Sequence, residues 1–369
     1  MTARYIMVGG FLGAGKSTAL ARLARWLKDS GRSVGLITND QGTGLVDTQR
    51  LRADGHTVEE ISGGCFCCRF TSLKEAADNL SRASRPDVFL AEPVGSCTDL
   101  VATVSYPLRR IYGDAFAIAP LSVVIDPVRA LRIFGLRPGG NFSDKVAYIY
   151  KKQLEEAQLI VVNKSDLLSA ADREALVAHL AQEFPRAEVL VISARENTGL
   201  EPWFERVTTG AQTIARTMEL DYDAYADGEA RLGWLNATLS LWSAQEVDAT
   251  EVLTALARGI QERLVAQGAE VAHLKMTLAP PDDPGALAWI SLVRSDFVPE
   301  LGQALTTPVS SASLVVNLRA EASPDLLSTV LDEAVGASPH GLSLEHMECF
   351  APERPLPTHR DEHAGEAHP

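Results

Sequence analysis

The stretch GGFLGAGKST, residues 9–18, decides the fold expected for this chain. Within it Gly10 is followed by four residues and then by Gly15, Lys16 and Ser17, which matches the G-x-x-x-x-G-K-[ST] phosphate-binding pattern. A short apolar run, YIMV, precedes the glycines, and an amphipathic segment, TALARLARWL, follows them. A strand, a loop and a helix in this order let backbone amides converge on phosphate oxygens. The stretch therefore predicts a nucleotide-binding P-loop rather than an ordinary glycine-rich turn.

The side chains of this loop have separate expected roles. We assign Lys16 to charge neutralisation at the β- and γ-phosphates, and the Ser17 hydroxyl to Mg²⁺. The residues expected to bind the phosphates are Gly13, Ala14, Gly15, Lys16, Ser17 and Thr18.

The first part of the chain, residues 1–212, alternates short apolar runs with amphipathic helical segments. The runs SVGLITND, PDVFLAEP, PLSVVIDP, AQLIVVNK and EVLVISA each end in a polar or Pro/Gly turn. Such continuous apolar runs are typical of buried parallel strands. They predict an α/β P-loop NTPase domain with a mostly parallel sheet, whose sites gather at the carboxyl ends of the strands.

The remainder of the chain predicts a second domain. Residues 213–229 are acidic and lack a clear period, so we interpret them as a linker. Residues 230–350 contain strand and helix patterns in an order that predicts a smaller α+β domain of the ferredoxin-like kind. Residues 351–369 are rich in His, Pro and acidic residues, and we expect a disordered tail. The tail is either simply solvated or a metal reservoir.

A second motif indicates which nucleotide binds. The run LIVVNKSD ends in the N-K-x-D arrangement of guanine-nucleotide proteins. Asp166 can accept hydrogen bonds from both N1–H and N2–H of guanine, whereas adenine lacks the exocyclic amine. Asn163 would fix the loop, and Lys164 would lie on the purine face. In the following strand-end loop, VISARENTG, the backbone of Ser193 and Ala194 would meet the guanine O6.

Two further strand ends are candidates for nucleotide-sensing switches. GLITND ends in Asp40 and is followed by Asp47, and VFLAEPVG contains Glu92 and Gly95. An acidic residue beside a P-loop can hold Mg²⁺ or orient the attacking water. We therefore propose Asp40 and Glu92 as catalytic residues and Asp47 as a Mg²⁺ ligand. Gly95 would bring its amide to the γ-phosphate.

Three of the five cysteines, Cys65, Cys67 and Cys68, form a C-x-C-C cluster behind a Gly-Gly pair. Thiolates are soft ligands that suit Zn²⁺, Cu⁺ or Co²⁺, and three of them leave a coordination position free for exchange. Buried structural thiols and a redox dithiol are the alternatives. Cys97 follows Glu92 by five residues and is either a structural thiol or a neighbour of the cluster.

Composition excludes several classes of partner. The 369-residue chain has 46% apolar residues and a formal net charge of −14, which disfavours a broad nucleic-acid interface. No run approaches the length of a membrane span, so we expect a soluble cytoplasmic protein whose cysteines are reduced. A homodimer remains one option for its assembly.

The order of these motifs resembles the CobW-like family of metallochaperone GTPases over about the first 200 residues. The resemblance implies GTP hydrolysis with Mg²⁺, coupled to transfer of a metal, commonly Zn²⁺ or Co²⁺, to a client protein that requires it. It also implies metal binding by Cys65, Cys67 and Cys68. The chain departs from that family in having Thr43 within DQGTGLVD, where a glutamate is usual, and EPVG in place of E-T-S-G.

Three rival functions remain open at this stage. The first is a G-protein chaperone that gates cofactor loading of a corrinoid-type enzyme without carrying metal. The second is a P-loop kinase for a small metabolite, which would prefer ATP. The third is a scaffold that binds GTP without hydrolysing it.

Overall fold

The computed structural model describes residues 2–42, 46–213, 216–283 and 285–363, and the chain divides into two units. The first comprises residues 1–41, 56–226 and 354–369, and the second comprises residues 42–55 and 227–353. Thr43 and His368 lie outside the described residues. Among the described residues, no helix has the length and apolar character needed to cross a membrane.

The first unit is built on a sheet whose strand pairings are all parallel in the described residues. Its strands are β1 Ala3–Gly9, β2 Val34–Asn39, β3 Val58–Ile61, β4 Val88–Glu92, β5 Phe116–Ile118, β6 Ser122–Ile125, β7 Leu159–Val162 and β8 Glu188–Val191. The strand order is β3-β2-β4-β1-β6-β7-β8, with β5 also paired to β1. The central strands are buried along their whole length, as the continuous apolar runs predict.

Helices follow most of these strands, as in a P-loop NTPase. They are α1 Lys16–Asp29, α3 Phe70–Ser84, α4 Tyr106–Tyr112, α5 Pro127–Ile133, α6 Asp144–Glu156, α7 Ala170–Glu183 and α8 Leu200–Thr209. A short π-helical segment, Val101–Ser105, leads into α4. The prediction of an α/β P-loop fold is confirmed.

The second unit contains a six-stranded antiparallel sheet of order β12-β11-β10-β13-β9-β14. Its elements are β9 Leu232–Val247, α10 Ala249–Ala266, β10 Glu270–Ala279, β11 Ala288–Leu292, β12 Glu300–Gln303, β13 Val309–Glu321, α11 Pro324–Gly336 and β14 Leu342–Phe350. Without the β11–β12 hairpin, the order β-α-β-β-α-β is that of a ferredoxin-like domain. The predicted α+β class is therefore confirmed.

Each face of this second sheet has a different partner because strand side chains alternate. Leu274, Met276 and Leu278 join the apolar core formed with α10 and α11. On the opposite face, Lys275 and Thr277 bind the helix α2, Val46–Ala53, which belongs to this unit. The sequence analysis placed α2 in the first domain, and the structure groups it with the second.

The segments expected to be linker and tail also differ from expectation. The helix α9, Tyr222–Glu229, forms within the predicted linker 213–229. Residues 351–363 are described, and from residue 354 onward they belong to the first unit, where backbone and side chains hydrogen-bond to it. The structure thus gives specific hydrogen-bond partners to residues for which the composition predicts disorder. Residues 364–369 lie outside the described residues.

Candidate nucleotide site and cysteine cluster

The predicted phosphate loop connects the buried strand β1 to the helix α1. Gly10, Gly13 and Gly15 all adopt positive φ angles, which glycine adopts without steric cost. A Cβ atom at Gly10 would fall 2.1 Å from the carbonyl oxygen of Val124, so no other residue fits there. No side chain caps the start of α1, and its first turn holds no acidic residue. The helix N-terminus therefore favours an anion.

Three polar side chains meet beside this loop. The Ser17 hydroxyl donates a hydrogen bond to Glu92 Oε1 over 3.0 Å, and Lys16 Nζ lies 3.9 Å from the same oxygen. All three residues are buried. A hydroxyl and a carboxylate oxygen are the ligands that Mg²⁺ takes in P-loop proteins, so the donor set fits this ion. Thr18 follows in the first turn of α1 and is half-buried.

The N-K-x-D loop after β7 is tied directly to the phosphate loop. Asn163 Nδ2 donates to the Ala14 carbonyl over 3.0 Å, while Asn163 Oδ1 accepts from the Ala194 amide, also over 3.0 Å. Lys164 Nζ donates to the Gly13 carbonyl over 2.6 Å. Asn163 thus holds together three of the loops assigned to nucleotide binding from the sequence.

Asp166, whose carboxylate is assigned to guanine recognition, meets the side chain of Ser193, whose backbone is assigned to the guanine O6. The Ser193 hydroxyl donates to Asp166 Oδ1 over 2.5 Å and thereby fixes that carboxylate. A fixed carboxylate is suited to accept both guanine N–H groups. The contact joins the loop after β7 to the loop after β8, as the strand-end argument predicts.

Asp126 is a residue of this site that the sequence analysis missed. It lies at the end of β6, it is buried, and it accepts a hydrogen bond from the Arg129 amide at the start of α5. Its other oxygen pairs with Lys164 Nζ over 2.8 Å. Asp126 therefore orients the lysine assigned to the purine face. The run VVIDP carried the signal, since it is another strand that ends in a carboxylate.

The candidate switch residues have different surroundings. A Cβ atom at Gly95 would fall 2.7 Å from Leu12 Cδ2, so the loop after β4 lies directly against the phosphate loop. Asp40 follows β2, and its amide donates to the Ile61 carbonyl over 3.1 Å. Asp47 lies in the second unit, where its carboxylate pairs with Lys275. These contacts give no support to Asp47 as a Mg²⁺ ligand, and we do not retain that role.

The cysteine cluster is a compact turn between β3 and α3. The Sγ atoms of Cys65 and Cys67 are 2.7 Å apart, and Cys68 Sγ lies 3.3 Å from Cys65 Sγ and 3.6 Å from Cys67 Sγ. Ligands of one tetrahedral zinc ion with Zn–S bonds of about 2.3 Å are separated by about 3.8 Å, so this trio fits a single ion after a small expansion. All five cysteines of the chain are free thiols.

The hydrogen bonds among these thiols polarise them. Thiol hydrogen bonds from Cys67, then from Cys68 and Cys97, hold the pKa of Cys65 well below its usual range. The hydrogen bond to Cys65 raises the pKa of Cys67 well above its usual range, and the bond to Cys65 likewise raises the pKa of Cys68 to about 11.

Asn39, at the end of β2, fixes the loop that carries the cysteines. Its Nδ2 donates to the carbonyls of Ile61 and Gly64 over 3.0 and 2.7 Å, and its Oδ1 accepts from the Phe66 amide over 2.9 Å. Asn39 lies in the strand-end run GLITND, which gives it no assigned role in the sequence. The structure makes it the link between a candidate switch strand and the cysteine turn.

Part of the tail also contacts the cysteine turn. The Thr358 amide donates to the Cys67 carbonyl over 2.8 Å, and the Thr358 hydroxyl donates to the Cys68 carbonyl over 3.1 Å. Two residues later, Arg360 forms a 2.8 Å ion pair with the buried Asp99. No local pattern in the sequence predicts these contacts, because they join residues about 260 to 290 positions apart.

The fold and this site define a P-loop protein with a guanine-type base loop and a thiol cluster. The family model described as CobW/HypB/UreG, nucleotide-binding domain, matches residues 4–191, which is about half of the chain. The chain therefore belongs to the CobW/HypB/UreG family, and the resemblance stated from the sequence is confirmed.

Relatives of known sequence match about half of the chain. The chain is 27% identical over 206 residues to a protein named zinc chaperone CobW from Sinorhizobium sp, covering 50% of this chain and 57% of that one. It is 30% identical over 173 residues to zinc chaperone YeiR from Escherichia coli K12, covering 46% and 49%. It thus spans about half the length of these curated relatives. The solved Zn(II)-bound YjiA GTPase from E. coli aligns with a TM-score of 0.38 and 15% identity, over 92% of this chain and 99% of that chain.

Proposed function

We propose that this chain is a GTP-hydrolysing metallochaperone that binds a transition metal through Cys65, Cys67 and Cys68 and delivers it to a metal-requiring client in the cytoplasm. One observation carries the proposal: the three Sγ atoms lie within 4.8 Å of one another, in the same unit as the phosphate loop. The names of two relatives, both zinc chaperones, support Zn²⁺ as the first cargo to test, with Co²⁺ as the second.

The proposed nucleotide chemistry rests on the side chains beside the phosphate loop. Bound Mg²⁺ supplies positive charge at the β- and γ-phosphates. Ser17 and Glu92 would hold that ion, and Lys16 would stabilise the charge that develops on the transferred phosphoryl group. Asp40 and Glu92 are the candidates for orienting the attacking water, and the Gly95 amide is the candidate contact to the γ-phosphate.

Preference for GTP over ATP follows from the base loop. Asp166 is oriented by Ser193, and Lys164 is oriented by Asp126 and by the Gly13 carbonyl. A carboxylate that faces the base edge favours guanine, whose N1–H and N2–H both donate. This arrangement argues against the alternative of an ATP-dependent metabolite kinase.

The proposed cargo follows from the chemistry of the ligands. Three thiolates are soft donors that select Zn²⁺ or Co²⁺ over Mg²⁺. Each thiol that binds the ion releases its proton. The hydrogen bonds among the thiols of the metal-free cluster are therefore lost when the metal binds. Delivery then requires that a client ligand replaces one of these thiolates.

The test is to measure GTP hydrolysis and Zn²⁺ affinity in the same preparation. We expect Mg²⁺-dependent release of phosphate from GTP but not from ATP, and one Zn²⁺ per chain that a triple Cys65→Ser, Cys67→Ser, Cys68→Ser variant does not bind. Transfer of Zn²⁺ to a chelating dye that is slower with a non-hydrolysable GTP analogue than with GDP would support delivery. A triple variant that still binds Zn²⁺ with wild-type affinity would refute the metal site, and gel filtration of the same samples would report any homodimer.

A further inference from the structure

A fourth thiol lies beside the cysteine trio. Cys97 is in the loop after β4, and its side chain is only 1% exposed. Its side chain adjoins those of Cys65 and Cys67. The tail joins the same two segments, because Thr358 hydrogen-bonds to the Cys67 carbonyl and Arg360 pairs with Asp99. Cys97 is thus separated from the C-x-C-C motif by about 30 residues in sequence and adjoins it in space.

The main chain around Cys97 is held in place. Its amide donates to the Val94 carbonyl over 2.9 Å, and its carbonyl accepts from Gln153 Nε2 over 2.8 Å. The same amide group of Gln153 donates to the Gly95 carbonyl over 3.0 Å, and Gln153 is itself buried in α6. These contacts form a fixed turn that directs the Cys97 side chain towards the cluster.

An inert core cysteine would have different neighbours. A structural thiol packs as a small hydrophobe among apolar side chains. Cys97 instead meets two buried thiols, which are themselves polar and polarisable. The Sγ atoms of Cys65, Cys67 and Cys68 lie within 4.8 Å of one another, and Cys97 adjoins two of these residues. Four thiolates are the donor set of a closed tetrahedral site for a soft metal.

We propose that Cys97 is a fourth ligand of the transferred metal, so that Cys65, Cys67, Cys68 and Cys97 together form a four-thiolate site. This inference rests on the proposed function and adds a ligand that the C-x-C-C motif does not contain. Three of the four thiols are buried, and Cys68 is half-buried. Cys68 is therefore the ligand that a client group reaches first.

The position of Cys97 also connects the metal to the nucleotide. Gly95, two residues before it, abuts Leu12 of the phosphate loop, where a Cβ atom would fall 3.1 Å from the Leu12 amide nitrogen. A shift of the Gly95 loop on phosphate release would displace Cys97 and leave three thiolates with an open coordination position. Four thiolates close a site, and three leave it ready for ligand exchange.

The first test counts sulfur ligands directly. Zinc-edge X-ray absorption of the full chain loaded with one Zn²⁺ in the presence of a non-hydrolysable GTP analogue should give four sulfur neighbours. The Cys97→Ser variant should give three, and its Zn²⁺ affinity should fall by at least about tenfold, since even loss of a second-sphere partner costs that much. A count of three in the wild-type chain would overturn the inference without needing any variant.

Controls separate this inference from the proposed function. Cys349→Ser, in the second unit, removes a thiol that lies outside the cluster and should leave sulfur count and affinity unchanged. Unchanged GTP affinity in Cys97→Ser would establish that the nucleotide site remains folded. If Cys97→Ser matches the wild type while the triple variant loses Zn²⁺, only the fourth ligand is refuted. If the triple variant also retains Zn²⁺, the metallochaperone function itself is refuted.

Discussion

The carboxylate of Glu92 accepts a hydrogen bond from the Ser17 hydroxyl over 3.0 Å, which joins the end of β4 to the first turn of α1. Both groups are of the kind that holds Mg²⁺, and Lys16 Nζ lies 3.9 Å from the same carboxylate oxygen. We expect Glu92→Gln to lower the rate of Mg²⁺-dependent GTP hydrolysis by about a hundredfold, because the variant removes a charge that holds the ion at the reacting phosphate. Steady-state phosphate release measures the change.

A matched control for this prediction is Ser30→Ala at the other end of α1. The Ser30 hydroxyl donates only to the Trp26 carbonyl at an exposed position, so hydrolysis should remain unchanged. A Glu92→Gln protein with the wild-type rate would exclude Glu92 from the nucleotide chemistry.

Base selectivity should depend on Asp166. In Asp166→Asn the side chain presents an amide in place of one carboxylate oxygen, so two charge-assisted hydrogen bonds to guanine are lost or reversed. We expect GTP affinity to fall by about a hundredfold, consistent with a loss of about 3 kcal/mol. Xanthosine triphosphate, which carries a carbonyl where guanine carries the amine, should bind better than GTP. Competition with a fluorescent nucleotide measures both affinities, and Asp172→Asn, at a half-buried position on α7, should change neither.

The phosphate loop should tolerate no side chain at Gly10. In Gly10→Ala the new Cβ meets the Val124 carbonyl at 2.1 Å, and the φ angle of +126° adds strain. We expect a loss of more than about 2 kcal/mol in unfolding free energy. Gly31→Ala is the matched control, because it has a φ angle of +77° and nothing within 4 Å, so it should cost only about 1 kcal/mol. Equal losses in urea unfolding of the two variants would contradict the steric argument.

The free energy of unfolding should fall with rising pH because of Glu156. Burial, followed by repulsion from Asp99, raises the pKa of Glu156 to about 8. A carboxyl whose pKa rises on folding stabilises the fold while it is protonated, and that contribution is lost as pH rises from the ordinary value of 4.5 towards 8. Glu156→Gln keeps the shape of the protonated acid. The variant should lack the fall in unfolding free energy of about 1 kcal/mol per pH unit that Glu156 causes.

Urea unfolding at pH 5 and pH 8 checks the role of Glu156. The variant should be the more stable protein at pH 8 and should show little difference at pH 5. Glu155→Gln, at an exposed neighbouring position, should retain the wild-type slope. Parallel slopes for the wild type and Glu156→Gln would contradict the assignment.

The tail should protect the cysteine turn. Arg360 pairs with Asp99, whose side chain is buried, so Arg360→Ala removes a charged anchor of the segment that carries Thr358. We expect Cys68 of the metal-free protein to react severalfold faster with a maleimide, as mapped by mass spectrometry. Arg354→Ala, which breaks an exposed ion pair with Asp223, should have little effect because such pairs contribute little. Identical reactivity in all three proteins would rule out protection by the tail.

The sequence predicts the parts of this molecule that depend on short segments. The phosphate loop and N-K-x-D loop are contiguous motifs, and the strand-end rule correctly brings Asp166 to Ser193 and Glu92 to Ser17. The alternating and continuous apolar runs likewise predict both sheets, because burial on one or two faces of a strand leaves a periodic trace.

The remaining features depend on pairing between distant segments. The position of Asp47 after β2 predicts a switch carboxylate. In the structure its partner is Lys275, more than 200 residues later. The composition of the tail predicts disorder. In the structure, however, Thr358 hydrogen-bonds to the Cys68 carbonyl and Arg360 to the Asp99 carboxylate. No periodicity or local motif carries such information.

The division of the chain has a consequence for how the protein is inherited. The backbone passes between the two units four times, after residues 41, 55, 226 and 353. A gene fragment ending near residue 226 would encode a helix α2 without its sheet and a first unit without its final segment. A single crossover near residue 226 would therefore separate α2 from the sheet that it packs on. We expect relatives to exchange the two units together rather than one at a time.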